Sequence, residues 1–454
     1  GCGSRGTSTH LAQNFLDYVR LFLIMTQRRV LIVSYYFPPY PEIASVRIGG
    51  LVKYIREFGW DPVVLTAVYP GRSNEYCTVI ETPYPGDVTA RWKAKLGLKA
   101  DEGLQEQLNV PRAVREGKKA TLFSKLVGLA HTILVYPDNQ KDWLLPAVNM
   151  GLELLKGGQF DAIISSSGPV TCHLIVSKIK ARYKLPWVAD FRDLWTQNHY
   201  YPYGVLRRKI ERQLELKIIN TANALVTVSE PLAEQLRELH LNKRVIAIPN
   251  GFDPDEVEAA PLTQEFSITY TGQLYKGRQD PEPLLRAIYE LIRDGVLDPQ
   301  YVRIRFYGTT EYWLEQLVKR YQLTEVVNLH SRVPRDIALS KQSESHVLLL
   351  LNWDDPNEKG IYTGKVFEYL AARRPILGIG GPPDSVVSQL LLETGAGIHC
   401  RDIRSLKIVI RSWYDEYKLY GTPIYKGDWA VIERYSHREM ARKFSSLLAE
   451  VIDV

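Results

Sequence analysis

The chain has 454 residues, a net charge of +6 and an ordinary globular composition, with 45% apolar and 24% charged residues. That length is too great for one hydrophobic core, so two or three domains are expected. No apolar run reaches the length of a membrane span. The four cysteines lack the spacing of a zinc site or a disulfide framework, which fits a reducing cytoplasm: Cys2, Cys77, Cys172 and Cys400.

The amino-terminal part predicts a β-loop-α-β start after a leader. Residues 1–27 are expected to be a leader or tag, with Met25 as the native start. Arg29–Ser34 is a β-branched apolar run typical of a parallel strand. A proline-rich loop follows, then a helix over Ser45–Phe58 and a strand over Pro62–Thr66. The loop lacks the GxGxxG pattern, so the usual dinucleotide fingerprint is absent and a nicotinamide enzyme is disfavoured.

Residues 70–140 are weakly periodic and rich in Pro, Gly and Lys, which predicts an insertion with short helices. Within them, residues 91–125 hold nine Lys or Arg against four Asp or Glu, with apolar residues interleaved. A basic segment with apolar anchors could lie on an anionic membrane face. It could equally be a solvated insertion. No recognised nucleic-acid motif accompanies the charge, so nucleic acid is not an expected partner.

From residue 144 onward, strands and helices alternate in two series. The first series ends near Ile248 and is followed by a turn and an acidic, proline-containing linker over Asp253–Thr263. The second series begins at Ser267 with six predicted strands: Ser267–Thr271, Val302–Tyr307, Val326–Leu329, His346–Leu351, Ile376–Ile379 and Gly397–His399. Repeated βα units predict parallel sheets covered on both faces. We therefore expect one domain over residues 28–254 and a second over residues 255–428.

The segment Gly360–Pro375 lies between two predicted strands of the second series and carries the main candidate site. Thr363 is placed to cap a helix whose first turn holds Gly364 and Lys365. Lys365 and Glu368 are three residues apart and share a face. A helix amino terminus with a cation and a carboxylate beside it could hold a diphosphate and a sugar hydroxyl. The alternative is an amphipathic helix with a surface ion pair.

Seven segments in order resemble one family, the group-1 (family 4) retaining glycosyltransferases. They are F-P-P near the first strand, P-D-N-Q-K-D-W at 137–143, D-F-R-D-L-W at 190–195, A-L-V-T-V-S at 224–229, I-P-N-G-F-D at 248–253, Y-T-G-Q-L-Y-K-G-R at 270–278 and T-G-K-V-F-E-Y-L-A at 363–371. The resemblance spans about nine-tenths of the chain. It implies the α/β GT-B fold, with two Rossmann-like parallel-sheet domains facing across a cleft. The last segment, residues 429–454, would return to the amino-terminal domain.

The resemblance also implies roles for individual residues. The carboxy-terminal domain would hold a nucleotide-sugar donor, UDP- or GDP-linked, without a metal or another cofactor. Basic side chains and a helix amino terminus would then stabilise the leaving diphosphate. The expected donor-binding residues are Gly272, Lys276, Arg278, Gly364, Lys365, Glu368 and Glu358, with Arg278 and Lys365 acting in catalysis. The expected acceptor-binding residues are Pro39, Arg47, Arg192 and Asp193.

One position departs from the family pattern. Glu368 matches the second carboxylate of the family's E-x7-E motif, which holds the ribose hydroxyls. Eight positions earlier stands Gly360 instead of Glu, and Glu358 lies two residues before it. Either Glu358 serves through a shifted loop, or backbone amides around Ile361–Gly364 hold the donor's sugar.

Two residues of the first domain have alternative interpretations. His173 follows a predicted strand end by one helical turn and could approach the donor phosphate or the reacting sugar, but a lone histidine is more often structural. Asp190, with Asp193, could orient the acceptor or could fix its loop by ion pairing. Asp354 and Asp355 are adjacent, yet no metal site is expected there.

Taken together, the sequence favours a hexosyltransferase-type enzyme that moves a sugar from a nucleotide sugar to a lipid-linked or polysaccharide acceptor. Such an enzyme would work in cell-surface glycan synthesis, in the cytoplasm or peripherally on the inner membrane face. One alternative is a GT-B-type nucleotide-sugar epimerase or hydrolase. Another is a non-catalytic sugar-nucleotide-binding relative, which the altered E-x7-E motif suggests.

Overall fold

A computed structural model describes residues 27–41, 43–72, 74–84, 86–89, 91, 134–256 and 260–453. These form two compact units. Unit 1 comprises the described residues up to Thr227, together with Ala233–Ala247 and those from Ala441 onward; unit 2 comprises Val228–Leu232 and Ile248–Met440. The leader expected over residues 1–27 lies outside the described residues except for Gln27. The basic segment 91–125 lies outside them except for Arg91.

Unit 1 is built on a seven-stranded parallel sheet with the order β3-β2-β1-β4-β5-β6-β7. The strands are β1 Arg28–Val33, β2 Trp60–Ala67, β3 Thr78–Thr82, β4 Ala162–Ser166, β5 Trp187–Phe191, β6 Ala224–Thr227 and β7 Arg244–Ala247. The helices before Ile248 are α1 Ile43–Tyr54, α2 Leu144–Gly157, α3 Thr171–Lys180, α4 Val205–Ile219 and α5 Glu230–Leu239. The apolar runs of β1 and β4 are buried on both faces, as expected for central parallel strands.

The short strand β3 is a correction to the sequence analysis. We expected short helices in the insertion over residues 70–140, but Thr78–Thr82 pairs in parallel with β2, with Val63 opposite Thr78. This strand forms the edge of the sheet and is only partly buried. Its mixed polar and apolar residues lack the continuous apolar run that marks the central strands, which is why the pattern missed it.

Unit 2 is built on a six-stranded parallel sheet with the order β10-β9-β8-β11-β12-β13. The strands are β8 Phe266–Thr271, β9 Val302–Tyr307, β10 Val327–His330, β11 Val347–Leu351, β12 Ile376–Ile379 and β13 Gly397–Cys400. The helices are α6 Glu282–Arg293, α7 Tyr312–Arg320, α8 Arg335–Ser343, α9 Gly364–Ala372, α10 Val386–Thr394, α11 Ile403–Tyr420 and α12 Trp429–Ile432. Every predicted strand of this series is present, within one residue at each end.

In each sheet the strand order reverses at one point, where β1 neighbours β4 and where β8 neighbours β11. Loops that leave the carboxyl ends of these strands diverge and leave a crevice, which is where open α/β sheets bind ligands. In unit 2 the loops concerned begin at Gly272 and Asn352. This reversal is the feature of the fold that positions the candidate site.

The chain ends with helix α13, His437–Ile452, which follows a 3₁₀ turn over Glu433–Tyr435. The compact units divide this segment, since Met440 is the last residue of unit 2. Residues 429–440 and 248–254 thus group with unit 2, whereas the sequence analysis assigned both to the amino-terminal domain. The two segments meet where the amide of Phe252 donates to the Tyr435 carbonyl at 3.1 Å. None of the described helices is long and apolar enough to span a bilayer.

Candidate functional site

The centre of the unit 2 site is the junction between β8 and α9. At the end of β8, the amide of Thr271 donates to the hydroxyl of Tyr369 on α9 at 3.2 Å. Gln342 of α8 is fully buried, and its Nε2 donates to Thr271 Oγ1 at 2.9 Å. These contacts fix α8 and α9 against the carboxyl end of β8.

Gly272 and Lys365, which were both expected to bind the donor, lie in contact with each other. Gly272 has φ of +113°, a conformation that favours glycine. A Cβ atom built on Gly272 would lie 2.9 Å from Lys365 Nζ and would also clash with Lys365 Cε. The Lys365 side chain therefore runs directly across the glycine backbone, and its ammonium lies 5.1 Å from the centre of the Tyr270 ring.

The Lys365 ammonium is held in a partly desolvated position. Burial lowers the pKa of Lys365, and the nearby Glu368 carboxylate opposes that shift. Among the described residues, the ammonium has no hydrogen-bond or ion-pair partner. A partly buried cation without a partner is unfavourable in the folded protein, and an anionic ligand would relieve that cost.

The start of helix α9 has the position predicted from the sequence, but its capping is different. Thr363 precedes the helix with an extended backbone, φ −71° and ψ 139°, and its side chain makes no capping hydrogen bond. Thr363 Oγ1 is buried and has no hydrogen-bond partner among the described residues. The prediction that Thr363 caps the helix is thus wrong. The amide of Val366 donates to the Thr363 carbonyl at 3.2 Å, and the amides of Gly364 and Lys365 precede it at the helix start, where an anion can bind.

Glu368 is positioned by two neighbours on helix α8. Its carboxylate accepts from Gln342 Nε2 at 3.3 Å and pairs with Arg335 Nε at 3.4 Å. Arg335 also pairs with Glu256, at 3.0 Å between Nη1 and Oε2. The sequence analysis did not identify Arg335, because the ion pair joins residues of two different helices. A diol that binds Glu368 must share this carboxylate with Arg335.

Lys276 and Arg278 lie farther along the loop after Gly272, and both are exposed. The Arg278 guanidinium lies 4.5 Å from the centre of the Trp353 ring. The Arg278 carbonyl accepts from the amide of Asp354 at 2.8 Å. Arg278 is thus tied to the loop that follows β11. Lys365, by contrast, lies against Gly272.

The structure gives a physical reason for glycine at position 360. Gly360 is buried, and its carbonyl accepts from Ser229 Oγ at 2.6 Å. A Cβ at this position would lie 3.1 Å from both Cγ and Cδ2 of Leu232. A glutamate does not fit there without displacing these neighbours. Glu358 lies two residues earlier in a partly buried loop, where its amide donates to the Asp355 carbonyl.

Two further polar groups lie at strand ends of unit 2, and the sequence analysis missed both. Asn352 follows β11 and Thr309 follows β9 by two residues, and their side chains are 7% and 4% exposed. Asn352 Oδ1 and Thr309 Oγ1 are buried and have no hydrogen-bond partner among the described residues. Their place at the carboxyl ends of the two parallel strands that flank β8 is the signal that could have identified them.

In unit 1, the structure pairs two residues that were predicted to act separately. Asp190 is fully buried and accepts from Arg47 Nη2 at 2.8 Å and from Arg47 Nε at 3.1 Å. Ser166 Oγ donates to the same carboxylate at 2.8 Å. Arg47 is 2% exposed, so both charges are removed from water. This geometry agrees with the ion-pairing alternative for Asp190.

His173 lies inside the core of unit 1. Its side chain is fully buried, and burial lowers the pKa of the imidazole to about 3. Nδ1 lies 2.7 Å from Ser165 Oγ, which also accepts from Trp187 Nε1 at 2.7 Å. Nε2 has no partner. The ring is neutral and firmly oriented, and it packs 4.6 Å from the Phe191 ring.

The remaining predicted acceptor residues lie around the loops of unit 1. Arg192 donates from Nε to the Ser167 carbonyl at 2.7 Å and from Nη2 to the Gly168 carbonyl at 2.6 Å, and burial lowers its pKa. Asp193 and Pro39 are exposed. The loop containing Pro39 is held by Arg72, whose guanidinium donates to the Pro38 and Phe37 carbonyls. Arg72 was not identified from the sequence.

No group of three or more His, Cys, Asp or Glu within the described ranges is arranged to hold a metal ion. Asp354 and Asp355 therefore have no third ligand of this kind among those residues.

Comparison with known proteins agrees with this architecture. The sequence model of Glycosyltransferase Family 4 matches residues 44–256. No curated protein sequence matches the chain. Sucrose-phosphate synthase from Thermosynechococcus elongatus is 12% identical with a TM-score of 0.58, over 94% of this chain and 100% of the synthase. A glycosyltransferase from Rickettsia africae is 13% identical with a TM-score of 0.57, over 94% and 99% of the two chains.

A third similar structure is that of the Anabaena protein HepE in complex with UDP-glucose. It is 11% identical with a TM-score of 0.55, over 93% of this chain and 99% of HepE. At such low identity these similarities show the fold. The family model matches residues 44–256, just under half of the chain, and the fold of the chain is GT-B.

Proposed function

We propose that this protein is a retaining, metal-independent hexosyltransferase that moves a sugar from a nucleotide-sugar donor to a lipid-linked or polysaccharide acceptor in cell-surface glycan synthesis. One observation carries the proposal: the partly buried Lys365 ammonium has no partner among the described residues, lies against Gly272, and belongs to the helix α9, whose start has no side-chain cap. Two sources of positive potential, the ammonium and the amino terminus of α9, thus lie in the same helix turn. This is the arrangement that a departing diphosphate requires when no metal neutralises it.

The two ends of the donor are assigned to different groups of unit 2. Lys365 and the first-turn amides of α9 bind the diphosphate, and Glu368 accepts hydrogen bonds from the ribose hydroxyls. Gly360 leaves no room for the family's first glutamate. The donor's sugar is therefore assigned to the backbone amides of Ile361–Gly364. The buried Thr363 Oγ1, unpartnered among the described residues, is a further group for a sugar hydroxyl. The similar structure of HepE holds UDP-glucose, which supports a UDP-linked donor for this site.

We assign a same-face reaction to this site. The bond between the anomeric carbon and the diphosphate oxygen breaks, and the diphosphate leaves with the electron pair. The acceptor oxygen then bonds to the same face of that carbon. Its proton passes to the leaving diphosphate, so charge and atoms balance without an enzymic nucleophile. Lys365 stabilises the negative charge as it develops on the diphosphate. Because no carboxylate has been assigned beneath the anomeric carbon, a covalent intermediate is not part of the proposal.

The donor is identified by thermal unfolding with UDP-, GDP-, ADP- and TDP-sugars. A ligand at 100 times its Kd should stabilise the protein by about 2.7 kcal/mol. Lys365→Met should weaken binding of the active donor by about 10- to 150-fold, the range for loss of a hydrogen bond to a charged group. Lys319→Met is the control, since Lys319 is exposed on α7. Equal affinity of the two variants would overturn the assignment of Lys365.

The reaction itself is tested with the active donor and a panel of lipid-linked and polysaccharide acceptors. Retention of the anomeric configuration in the product supports the same-face route, and an inverted product refutes it. Release of free sugar at the same rate with and without acceptor would instead identify a hydrolase. Interconversion of two nucleotide sugars without acceptor would identify an epimerase.

A further inference from the structure

Helix α4, Val205–Ile219, has an exposed face that the proposed sugar transfer does not use. Three large apolar side chains on it are open to solvent: Val205 is 72% exposed, Leu206 75% and Ile210 52%. They cluster in the first two turns of the helix. Buried apolar contacts within unit 1 therefore do not account for these residues, and a group of them on one face is typical of an interaction surface.

The charges of α4 are divided between its two faces. Both acidic residues, Glu211 and Glu215, point inward and are 1% and 0% exposed. Glu211 pairs with Arg207 at 2.6 Å and accepts from Trp195 Nε1 at 2.8 Å. Glu215 accepts from the amide and the hydroxyl of Thr196. Inside unit 1, the negative charges of the helix thus have their own partners.

The outward charges of α4 are all positive. Lys209, Arg212 and Lys217 are exposed, and within α4 no acidic side chain shares their face. At 100° per residue, these three cations fall on the same half of the helix as Val205, Leu206 and Ile210. The exposed face of α4 therefore combines apolar side chains with three positive charges that no acidic residue of α4 offsets.

The loop before α4 adds tyrosines at the same end of the helix. The Arg207 guanidinium lies 3.4 Å from the centre of the Tyr203 ring, and that of Arg208 lies 4.8 Å from the centre of the Tyr201 ring. Both rings are thereby held at the start of the helix, half-buried. The Tyr201 hydroxyl is buried, so these rings brace the start of α4 and the apolar part of its exposed face consists of Val205, Leu206 and Ile210.

We propose that the exposed face of α4 docks unit 1 on an anionic membrane surface, with the helix lying in the interface and its apolar side chains inserted between headgroups. A helix with apolar residues and cations on one face has the composition of an interfacial helix. Charge complementarity selects this occupant, since an acidic lipid surface matches the charge of +3. None of the described helices, α4 included, is long and apolar enough to span a bilayer.

The test is co-sedimentation with vesicles of phosphatidylglycerol and phosphatidylcholine at equal amounts, with pure phosphatidylcholine as the comparison and no donor added. Wild-type protein should bind the anionic vesicles more tightly, and binding should weaken as salt is raised. Lys209→Gln/Arg212→Gln/Lys217→Gln should reduce affinity by about 100-fold, at roughly fivefold for each cation near the surface. Val205→Ser/Leu206→Ser/Ile210→Ser should reduce binding to both kinds of vesicle.

Matched controls change exposed residues elsewhere by the same chemistry. Lys178→Gln/Lys319→Gln/Lys426→Gln removes three exposed cations, and Leu392→Ser/Leu419→Ser removes two leucines that are 84% and 75% exposed. Both controls should bind anionic vesicles as wild type does. Residues 91–125 are unchanged in every variant, so a loss confined to the α4 variants is assigned to α4. Thermal unfolding of each variant verifies that it is folded.

Two results would overturn the proposal. In the first, the α4 variants bind anionic vesicles as tightly as wild type does. In the second, sedimentation velocity shows a wild-type dimer that the apolar α4 variant loses, while neither protein binds vesicles; the face would then be an interface between two copies. Because the assay contains no nucleotide sugar, its outcome is independent of whether the proposed transfer reaction is correct.

Discussion

Replacing Gly272 by alanine isolates the contribution of Lys365 to ligand binding. Gly272 and Gly277 lie in the same loop, and both have positive φ, +113° and +77°. Alanine at either position should destabilise the protein by about 1–2 kcal/mol, because a side chain disfavours this backbone conformation. The two sites differ in what a Cβ meets. At Gly272 it lies 2.9 Å from Lys365 Nζ, and at Gly277 nothing lies within 4 Å.

Gly272→Ala must therefore move the Lys365 side chain, and Gly277→Ala must not. If Lys365 binds the diphosphate, its displacement removes a charge-assisted hydrogen bond of about 1.5–3 kcal/mol, which corresponds to about 10- to 150-fold in Kd. Titration calorimetry with the nucleoside diphosphate of the active donor measures this difference directly. Urea unfolding of both variants measures their stability.

The expected pattern is weak diphosphate binding in Gly272→Ala alone, with Gly272→Ala the less stable of the two variants because its Cβ also meets Lys365. Equal affinity of the two would show that the position of Lys365 across Gly272 is irrelevant to binding. Lys365→Met in the Gly272→Ala background should then add little to the loss, because both changes remove the same contact.

Three further predictions concern unfolding free energies. Gly360→Glu should lower the free energy of unfolding by about 1–3 kcal/mol, because its side chain would overpack the site. Asn357→Glu, at an exposed position of the same loop, should change the free energy of unfolding by less than about 0.5 kcal/mol. Equal urea midpoints of the two variants would contradict the packing at residue 360. Asp190→Ala should cost about 3–5 kcal/mol, since it leaves a buried arginine without its carboxylate, and a cost below 1 kcal/mol in urea unfolding would refute the buried pair. His173 has a pKa of about 3 when folded and near 6.5 when unfolded, so the stability that it contributes is complete above pH 6.5 and is lost as the pH falls toward 3. Between pH 7 and 5 this loss should be about 2 kcal/mol, and His173→Gln should remove that part of the pH dependence measured by urea unfolding.

The strands and helices of unit 2 could be predicted from the sequence because their signals are local. Leu348 and its neighbours form a continuous apolar run that is typical of a buried parallel strand, and α9 begins at Gly364 as predicted. The edge strand β3 was not predicted, because only part of it is buried and its sequence lacks a continuous apolar run. A pattern based on burial identifies central strands better than edge strands.

The partners of the site residues could not be predicted in the same way. Asp190 and Arg47 are 143 positions apart, and Ser229 and Gly360 are 131 positions apart. Sequence spacing carries no information on such contacts, which arise only when the sheets assemble. The resemblance to a family indicated that Asp190 was important but did not distinguish catalysis from ion pairing.

The same limit applies to capping at Thr363. A threonine before a helix predicts a capping hydrogen bond, and the local sequence contains nothing against it. The structure leaves the hydroxyl buried and unpartnered and the first-turn amides without a side-chain acceptor. Local rules tend to fail at functional sites, because the groups that they would satisfy internally are kept for a ligand.

The contact between Ser229 and Gly360 has a consequence for how the chain can be divided experimentally. Val228–Leu232 belongs to unit 2, although it follows the sixth strand of the unit 1 sheet directly. A fragment that starts at the linker, near residue 255, would lack both the hydroxyl that donates to the Gly360 carbonyl and the leucine packed against that residue. Such a fragment could retain its sheet while losing the shape of the loop before α9. Donor-binding studies on an excised carboxy-terminal half would then measure a different loop from that of the intact protein.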